Sequence, residues 1–388
     1  MPAGINNSGI FIAVSFIIFS EKYVSKKNYP AQINGISDAG DCNSLCILGP
    51  FQFIISLTGN GICPYIVPGE SEYSLQCVPG DRRMKNSTEK LIQLVNIEDP
   101  DCVLKEVKFI LLSMNSDFST KNIENVFQDI IMLFQGKYQG YQACNTEYHD
   151  LRHTLEVFLA TSRLIHGALI DGRLISEKMI NIGIISALMH DTGYSQTLDD
   201  VNGTGAKYTV SHILRSIEFC TKYFAGSPSY GGDLNSFRDI LLCTGFTDRI
   251  EGIKFSSPEV ETVGKILGAA DLLGQMADRL YLEKLLYLYH EFKDAGIAGF
   301  ENEYDLLKKT VTFYGQSLNR MEKDLSGVHK HMKSHFRVRW GLDRNLYIDS
   351  IENNIDYLKY IIQQDDYMSF LKRGGIVQKL KKSRLEAL

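Results

Sequence analysis

Tyr148-His149-Asp150-Leu151-Arg152-His153, followed thirty-seven residues after His153 by His190-Asp191 at the end of the apolar stretch Ile182 to Met189, decides how this chain is read. On a helix, imidazoles four residues apart share one face, so His149 and His153 are expected to project into one cavity beside Glu156 and Ala160, with Leu151, Leu155, Phe158 and Leu159 packing alongside. His190 and Asp191 sit where a buried helix should end at the Gly193 turn. The partial negative charge of a helix C-terminus favours a cation there. A further acid, Asp271 in Gly268-Ala269-Ala270-Asp271-Leu272, has small and apolar neighbours and needs a partner if it is buried. Two imidazoles and two carboxylates make a mixed nitrogen and oxygen set, suited to zinc, manganese, iron or magnesium rather than to a structural thiolate site. A single histidine on a helix is more often a core or surface residue than a ligand. The ordered set H-x-x-x-H, then HD, then a later buried acid is far more specific.

Outward from these motifs the pattern is helical. Apolar residues recur at i, i+3, i+4 over Thr88 to Val95, Asp101 to Leu112, Lys121 to Phe134, Glu147 to Ile165, Glu177 to His190, Val210 to Tyr223 and Ser236 to Leu242. The same holds over Val260 to Phe292, Glu303 to Leu318 and Tyr347 to Gln364. Strand-like alternation is nearly absent, so a mainly α helical bundle is expected over residues 86–365, with its motif core at 140–290. Residues 1–85 read differently. They carry few charges, frequent Gly, four cysteines (Cys42, Cys46, Cys63, Cys77) and β-leaning runs such as Phe51 to Leu57, and form a small irregular segment of unknown role in which β structure is left open. Residues 366–388 form a basic tail, with Lys372, Arg373, Lys379, Lys381, Lys382 and Arg384, best read as a solvated helix end.

The chain has 388 residues, 44% of them hydrophobic and 22% charged, enough for a substantial core. A net charge of -5 argues against a sequence-independent grip on nucleic-acid backbones, which needs clustered Lys and Arg on one face. Eight cysteines without a CxxC pair fit a reducing, cytoplasmic setting, with buried thiols the plainer reading of each. Ile10 to Phe19 is half the length needed to cross a bilayer, so no membrane span is expected. No Lys or Arg precedes that run, which leaves secretion the lesser alternative.

Arg152-His153 with Leu155 and Val157, then His190-Asp191, then Ala270-Asp271-Leu272 resemble the H…HD…D signature of the HD superfamily of metal-dependent phosphohydrolases. Tyr148-His149, four residues ahead of His153, is similar to the YH-x-x-x-H motif of the cyclic nucleotide phosphodiesterase branch. The resemblance implies an HD-domain helical bundle in which His153, His190, Asp191 and Asp271 ligate a first divalent metal, Asp191 bridges to a second, and His149 protonates the leaving oxygen. In those phosphodiesterases another histidine lies four residues after the ligand histidine; here that residue is Tyr194. His212, twenty-one residues past Asp191, is a candidate second-metal ligand, a polar residue at a helix N-terminus being the equal alternative. Asp278 rivals Asp271, being two turns further along, although Arg279 and the Glu283-Lys284 charges suggest a solvated end. Asp248 and Arg249 are candidates for the cavity rim, and Gly203-Thr204-Gly205 reads as a turn rather than a phosphate loop.

The expected function is hydrolysis of a small phosphoester, a nucleotide or cyclic nucleotide being favoured. One or two divalent metals (Mn, Mg, Zn or Fe) lower the pKa of a water that attacks phosphorus in line, with His149 and Asp191 as the catalytic pair. Two other classes remain open: an HD-fold di-iron oxygenase, for which His212 discriminates, and a signalling module that binds a nucleotide without turnover.

Overall fold

Twelve α-helices and several 3-10 turns make up the described residues of the computed structural model, 89–245 and 250–386, and no strand occurs among them. Two isolated antiparallel bridges, Gln135 with Ala143 and Tyr141 with Thr197, are the nearest approach to a sheet. The helices are α1 Pro100–Met114, α2 Lys121–Phe134, α3 Leu151–Ile170, α4 Glu177–Met189, α5 His212–Phe224 and α6 Leu234–Leu242. They continue with α7 Pro258–Ala277, α8 Tyr281–Asp294, α9 Glu303–Glu322, α10 His331–Trp340, α11 Leu346–Ile361 and α12 Ile376–Glu386. The protein is therefore mainly helical. The irregular segment 1–85 with its cysteines and its 10–19 run, and the rim candidates Asp248 and Arg249, lie outside the described residues. No helix among the described residues is long and apolar enough to cross a membrane.

The centre of the bundle is α3, buried along most of its length and packed by α1, α4, α7 and α10. Its mixture of Leu, Val, Phe, Ala, Thr and Ser on every side suits a helix with neighbours all round rather than one with a wet face. α4 is likewise buried throughout, from Met179 to Met189, with Asn181 and Ser186 its only polar side chains there. Where α7 crosses the end of α6, a Cβ on Gly268 would stand 2.5 Å from the Cys243 carbonyl oxygen, so that crossing requires glycine.

Four expectations from the sequence are corrected. The first motif is not one helical face: α3 starts only at Leu151, because the Asp150 side chain caps it by accepting from the His153 N–H at 2.9 Å. His149 thus lies in the turn ahead of the helix. Val260 to Phe292 is not one helix but α7 and α8, separated at Asp278, whose ψ of 135° is extended. The broken carbonyls are satisfied by Asn354, which donates to Met276 O and Asp278 O at 3.0 Å each. Thr88 to Val95 yields only the 3-10 turn Leu91–Gln93. Periodicity also missed α10, whose sequence HMKSHFRVRW has little apolar amphipathy yet is buried through Met332, His335, Phe336 and Trp340.

Asp278 is no solvated end either. It is 5% exposed and receives Arg152 side-on, Nη2 to Oδ1 at 2.8 Å and Nε to Oδ2 at 3.3 Å, while its Oδ1 accepts the Leu280 N–H that starts α8. Glu283 and Lys284 are buried with it. Asp278→Ala removes the side-on partner of Arg152 and the acceptor of the Leu280 N–H but leaves Arg152 its pairs with Glu156 and Glu98, so it is expected to cost about 2 kcal/mol in chemical denaturation.

Candidate metal centre

His153 on the first turn of α3, His190 at the C-cap of α4 and Asp271 in the middle of α7 form a group able to hold a metal ion. The two Nε2 atoms stand 3.3 Å apart, and Asp271 Oδ1 is 3.2 Å from His153 Nε2 and 3.9 Å from His190 Nε2. Asp191 Oδ2 stands 3.2 Å from His190 Nε2 and 3.4 Å from His153 Nε2. Donors held at 2.0–2.1 Å around a tetrahedral cation are roughly 3.3 Å from one another, which most of these separations match. Asp191 Oδ2 is buried and has no hydrogen-bond donor among the described residues, a cost that a cation removes.

Two of the donors, His190 and Asp271, are held by hydrogen bonds. His190 Nδ1–H donates to Ala187 O at 2.9 Å, so in the neutral ring the Nε2 lone pair faces inward. Asp271 Oδ1 accepts from Gln275 Nε2 at 3.2 Å, and the Tyr148 hydroxyl holds Gln275 Oε1 at 3.0 Å. The turn after Asp191 is clamped by α5. Ser216 Oγ donates to His190 O at 2.6 Å and accepts the Gly193 N–H at 2.9 Å, and Arg215 donates to Gly193 O and Ser195 O. A Cβ on Gly193 would overlap the His212 carbonyl, so glycine is what lets α5 approach.

The field at the centre favours positive charge. Burial alone would lower the pKa of His190, but Asp191 and then Asp271 raise it to about 9. Burial would raise Asp191, yet the neighbouring His190, His149 and His153 hold it well below the carboxylate range. In the cation-free protein His190 therefore carries a proton below pH about 9 that an entering cation must displace. Apparent affinity for zinc or manganese is expected to rise with pH and level off above about 9. Calorimetry in buffers of different ionisation enthalpy should read about one proton released at neutral pH.

Beside this group is a second one. His149 Nδ1–H donates to Glu291 Oε2 at 2.6 Å, and Glu291 Oε1 accepts the Glu147 and Tyr148 N–H groups at 2.8 and 2.7 Å. Burial would lower the His149 pKa; Glu291 outweighs it, and the imidazole is held above its ordinary value. The Tyr194 ring lies between two histidines, its centroid 4.3 Å from that of His149 and 4.7 Å from that of His212. Its hydroxyl stands 3.3 Å from His149 Nε2. His212, the first residue of α5, reaches to 3.9 Å from Asp191 Oδ1, while its Nδ1–H donates to Thr209 O at 2.7 Å. Burial, ahead of the opposing Asp191 charge, lowers its pKa.

His149, His153, His190, Asp191, His212 and Asp271 thus come together, whereas Asp278 belongs to the Arg152 pair. Gly203 is a turn residue with φ 64°, leading into the 3-10 turn Gly205–Tyr208. Sequence reasoning missed Glu291 and Gln275. Gln275 is one helical turn from Asp271, a spacing that could have marked it; Glu291, in Tyr287-Leu288-Tyr289-His290-Glu291, carries no local mark.

The described geometry stands with one similarity to known proteins. A family model described as Npun_R2479-like matches residues 201–330, about a third of the chain, a span that includes His212, Asp271, Gln275 and Glu291 but not the residues up to Asp191. No curated protein and no solved structure matches the chain.

Proposed function

We propose that the chain is a metal-dependent phosphohydrolase acting on a small phosphoester, with nucleotides or cyclic nucleotides the favoured class. The observation that carries this reading is the pairing of a converging His153, His190, Asp191 and Asp271 donor set with His149, whose pKa the hydrogen-bonded Glu291 raises against burial. When bound, one or two divalent cations supply Lewis acidity, lowering the pKa of a water and neutralising phosphate charge. The residues fit that role: a buried Asp191 oxygen without a donor, and the His190 imidazole held with Nε2 inward beside His153 Nε2.

The chain's own contribution to the chemistry is proton supply. With Nδ1–H committed to Glu291, protonated His149 carries its transferable proton on Nε2, beside the Tyr194 hydroxyl. It donates that proton to the departing oxygen and is recharged from solvent. His149 must be protonated to act, so the rate falls as pH rises through its pKa. Glu291→Gln removes the group that raises this pKa and is expected to move the alkaline limb of the kcat/KM profile to lower pH, leaving metal content unchanged. An unmoved limb would detach Glu291 from proton transfer.

The deciding experiment is metal analysis of purified protein followed by a screen of nucleotide, cyclic-nucleotide and sugar phosphates with manganese, magnesium, zinc and iron. Turnover of a phosphoester that stops on chelation supports the proposal; stoichiometric metal without any phosphoester turnover defeats it. His212 near Asp191 favours a second reading, an oxygen-activating di-iron site. Coloured protein with two irons and no phosphatase activity would select that reading instead.

A further inference from the structure

Beside the first turns of α3, on a different face from the ligands, lies a cavity of about 50 Å³ between α3, the end of α7, the Leu91–Gln93 turn and Tyr347 of α11. None of the metal-centre residues lines it. Its walls are apolar on one side, with Leu91, Val95, Ile97, Leu159 and Ala277, and charged on the other, with Arg152, Glu156, Asp278 and Arg279; between them is set the guanidinium of Arg163.

Arg163 is 1% exposed. Its Nη1 donates to the Tyr347 hydroxyl at 3.0 Å, and its head lies 5.5 and 5.7 Å from the Phe336 and Tyr347 ring centroids. Nε and Nη2, also buried, have no hydrogen-bond partner among the described residues. Of the two carboxyl groups on the cavity wall, Asp278 is taken up by Arg152 through both oxygens, and Glu156 meets Arg152 through Oε1 alone; Glu156 Oε2 is buried without a partner among the described residues, and burial pushes the pKa of that group well up, which weakens it as a counter-charge for Arg163. A guanidinium cannot shed its proton, so a buried one without a counter-charge is costly and calls for an anion.

The two bare nitrogens identify that anion. Nε and Nη2 share one edge of the guanidinium, the side-on fork whose two parallel N–H bonds match the two oxygens of a carboxylate. Among the described residues this edge also grips both oxygens of two of the chain's own carboxylates. Arg152 grips Asp278 with Nε and Nη2, and Arg339 grips Glu106 with Nε and Nη2 at 3.3 and 3.1 Å. The space admits roughly four water-sized groups, the size of acetate or slightly more, and the apolar walls suit a short alkyl tail.

We propose that the Arg163 cavity is a binding site for a small free monocarboxylate of acetate to propionate size, its carboxylate on the Nε and Nη2 edge of Arg163 and its alkyl end against Leu91, Val95 and Ile97. The proposal is independent of the metal centre and of the reaction assigned to it.

The test is ligand-observed NMR on the full chain, titrating sodium propionate against a constant ionic strength of sodium chloride. Saturable transfer of magnetisation to the propionate methyl group is expected, undiminished in Asp191→Ala. Arg163→Lys, which keeps charge but loses the fork, should weaken binding at least tenfold. Ile97→Trp, which fills the cavity and leaves Arg163 in place, should abolish it. Absence of saturable binding to the folded wild-type chain overturns the proposal. So does propionate binding that survives Ile97→Trp, or that equimolar chloride displaces, since the latter marks a site for any counter-ion. If Arg163→Lys fails to fold, the wild-type and Ile97→Trp titrations decide the matter alone.

Discussion

Asp191→Ala protein is expected to fold, to purify without stoichiometric divalent metal and to hydrolyse phosphoesters no faster than buffer does. Asp191 Oδ2 lies close to both imidazoles, at 3.2 Å from His190 Nε2 and 3.4 Å from His153 Nε2, and no hydrogen bond engages it. Its removal leaves the His153 and His190 Nε2 atoms 3.3 Å apart with only Asp271 as the charged ligand. His153→Ala, His190→Ala and Asp271→Ala should behave alike, because each removes one donor and no spare donor stands ready. The loss must exceed the roughly 10- to 100-fold that follows removal of a supporting partner such as Gln275, which only orients a ligand. Metal analysis of the four variants beside the wild type checks this. Full metal occupancy in folded Asp191→Ala would remove it from the donor set.

His149→Ala should separate the two halves of the site, keeping the metal and losing roughly 10²- to 10⁴-fold in turnover. Its Nδ1 is bound to Glu291 and its ring centroid lies 6.2 Å from that of His153, so it stands beside the donor set rather than in it. If it is the acid, the loss should be greatest for alkyl or nucleoside leaving groups and small for activated aryl phosphoesters, whose departing oxygen needs no proton. Steady-state kinetics on both substrate types provide the measurement. Equal losses, or metal lost together with activity, would make His149 a ligand or packing residue and would count against the phosphodiesterase-like mechanism.

What was legible in the sequence was the part written in local spacing. The 3.6-residue period located α1, α2 and α9 closely, and the order His153, His190-Asp191, Asp271 named side chains that do converge. What was not legible depends on partners far along the chain. The period runs through the break between α7 and α8, since the break is stabilised by Arg152 and Asn354 acting on Asp278 and its carbonyl neighbours. α10 shows no clear apolar stripe because its burial comes from being surrounded; His335 meets His166, Nδ1 to Nδ1 at 3.0 Å. The placement of His149 ahead of α3 hinged on one capping carboxylate, Asp150, which a helical wheel treats as just another polar residue. Glu291 could not be found at all by spacing: its meaning lies in three contacts with residues 147–149, on the other side of the matched span.

The clamp that α5 puts on the turn after Asp191 bears on the order in which the molecule is assembled. His190 O and Gly193 N are held by Ser216, and Gly193 O by Arg215, so the turn carrying two of the donors takes its shape only once a helix made later in the chain has docked. Asp271 comes later still, from α7. During synthesis from the N-terminus, His153, His190 and Asp191 emerge first, on two helices joined by the short connection 171–176, and Asp271 joins them only when α7 packs on α3. The complete donor set therefore exists only once α7 has packed on α3, so a cation that needs all four groups would be bound by the assembled bundle rather than by its early fragments.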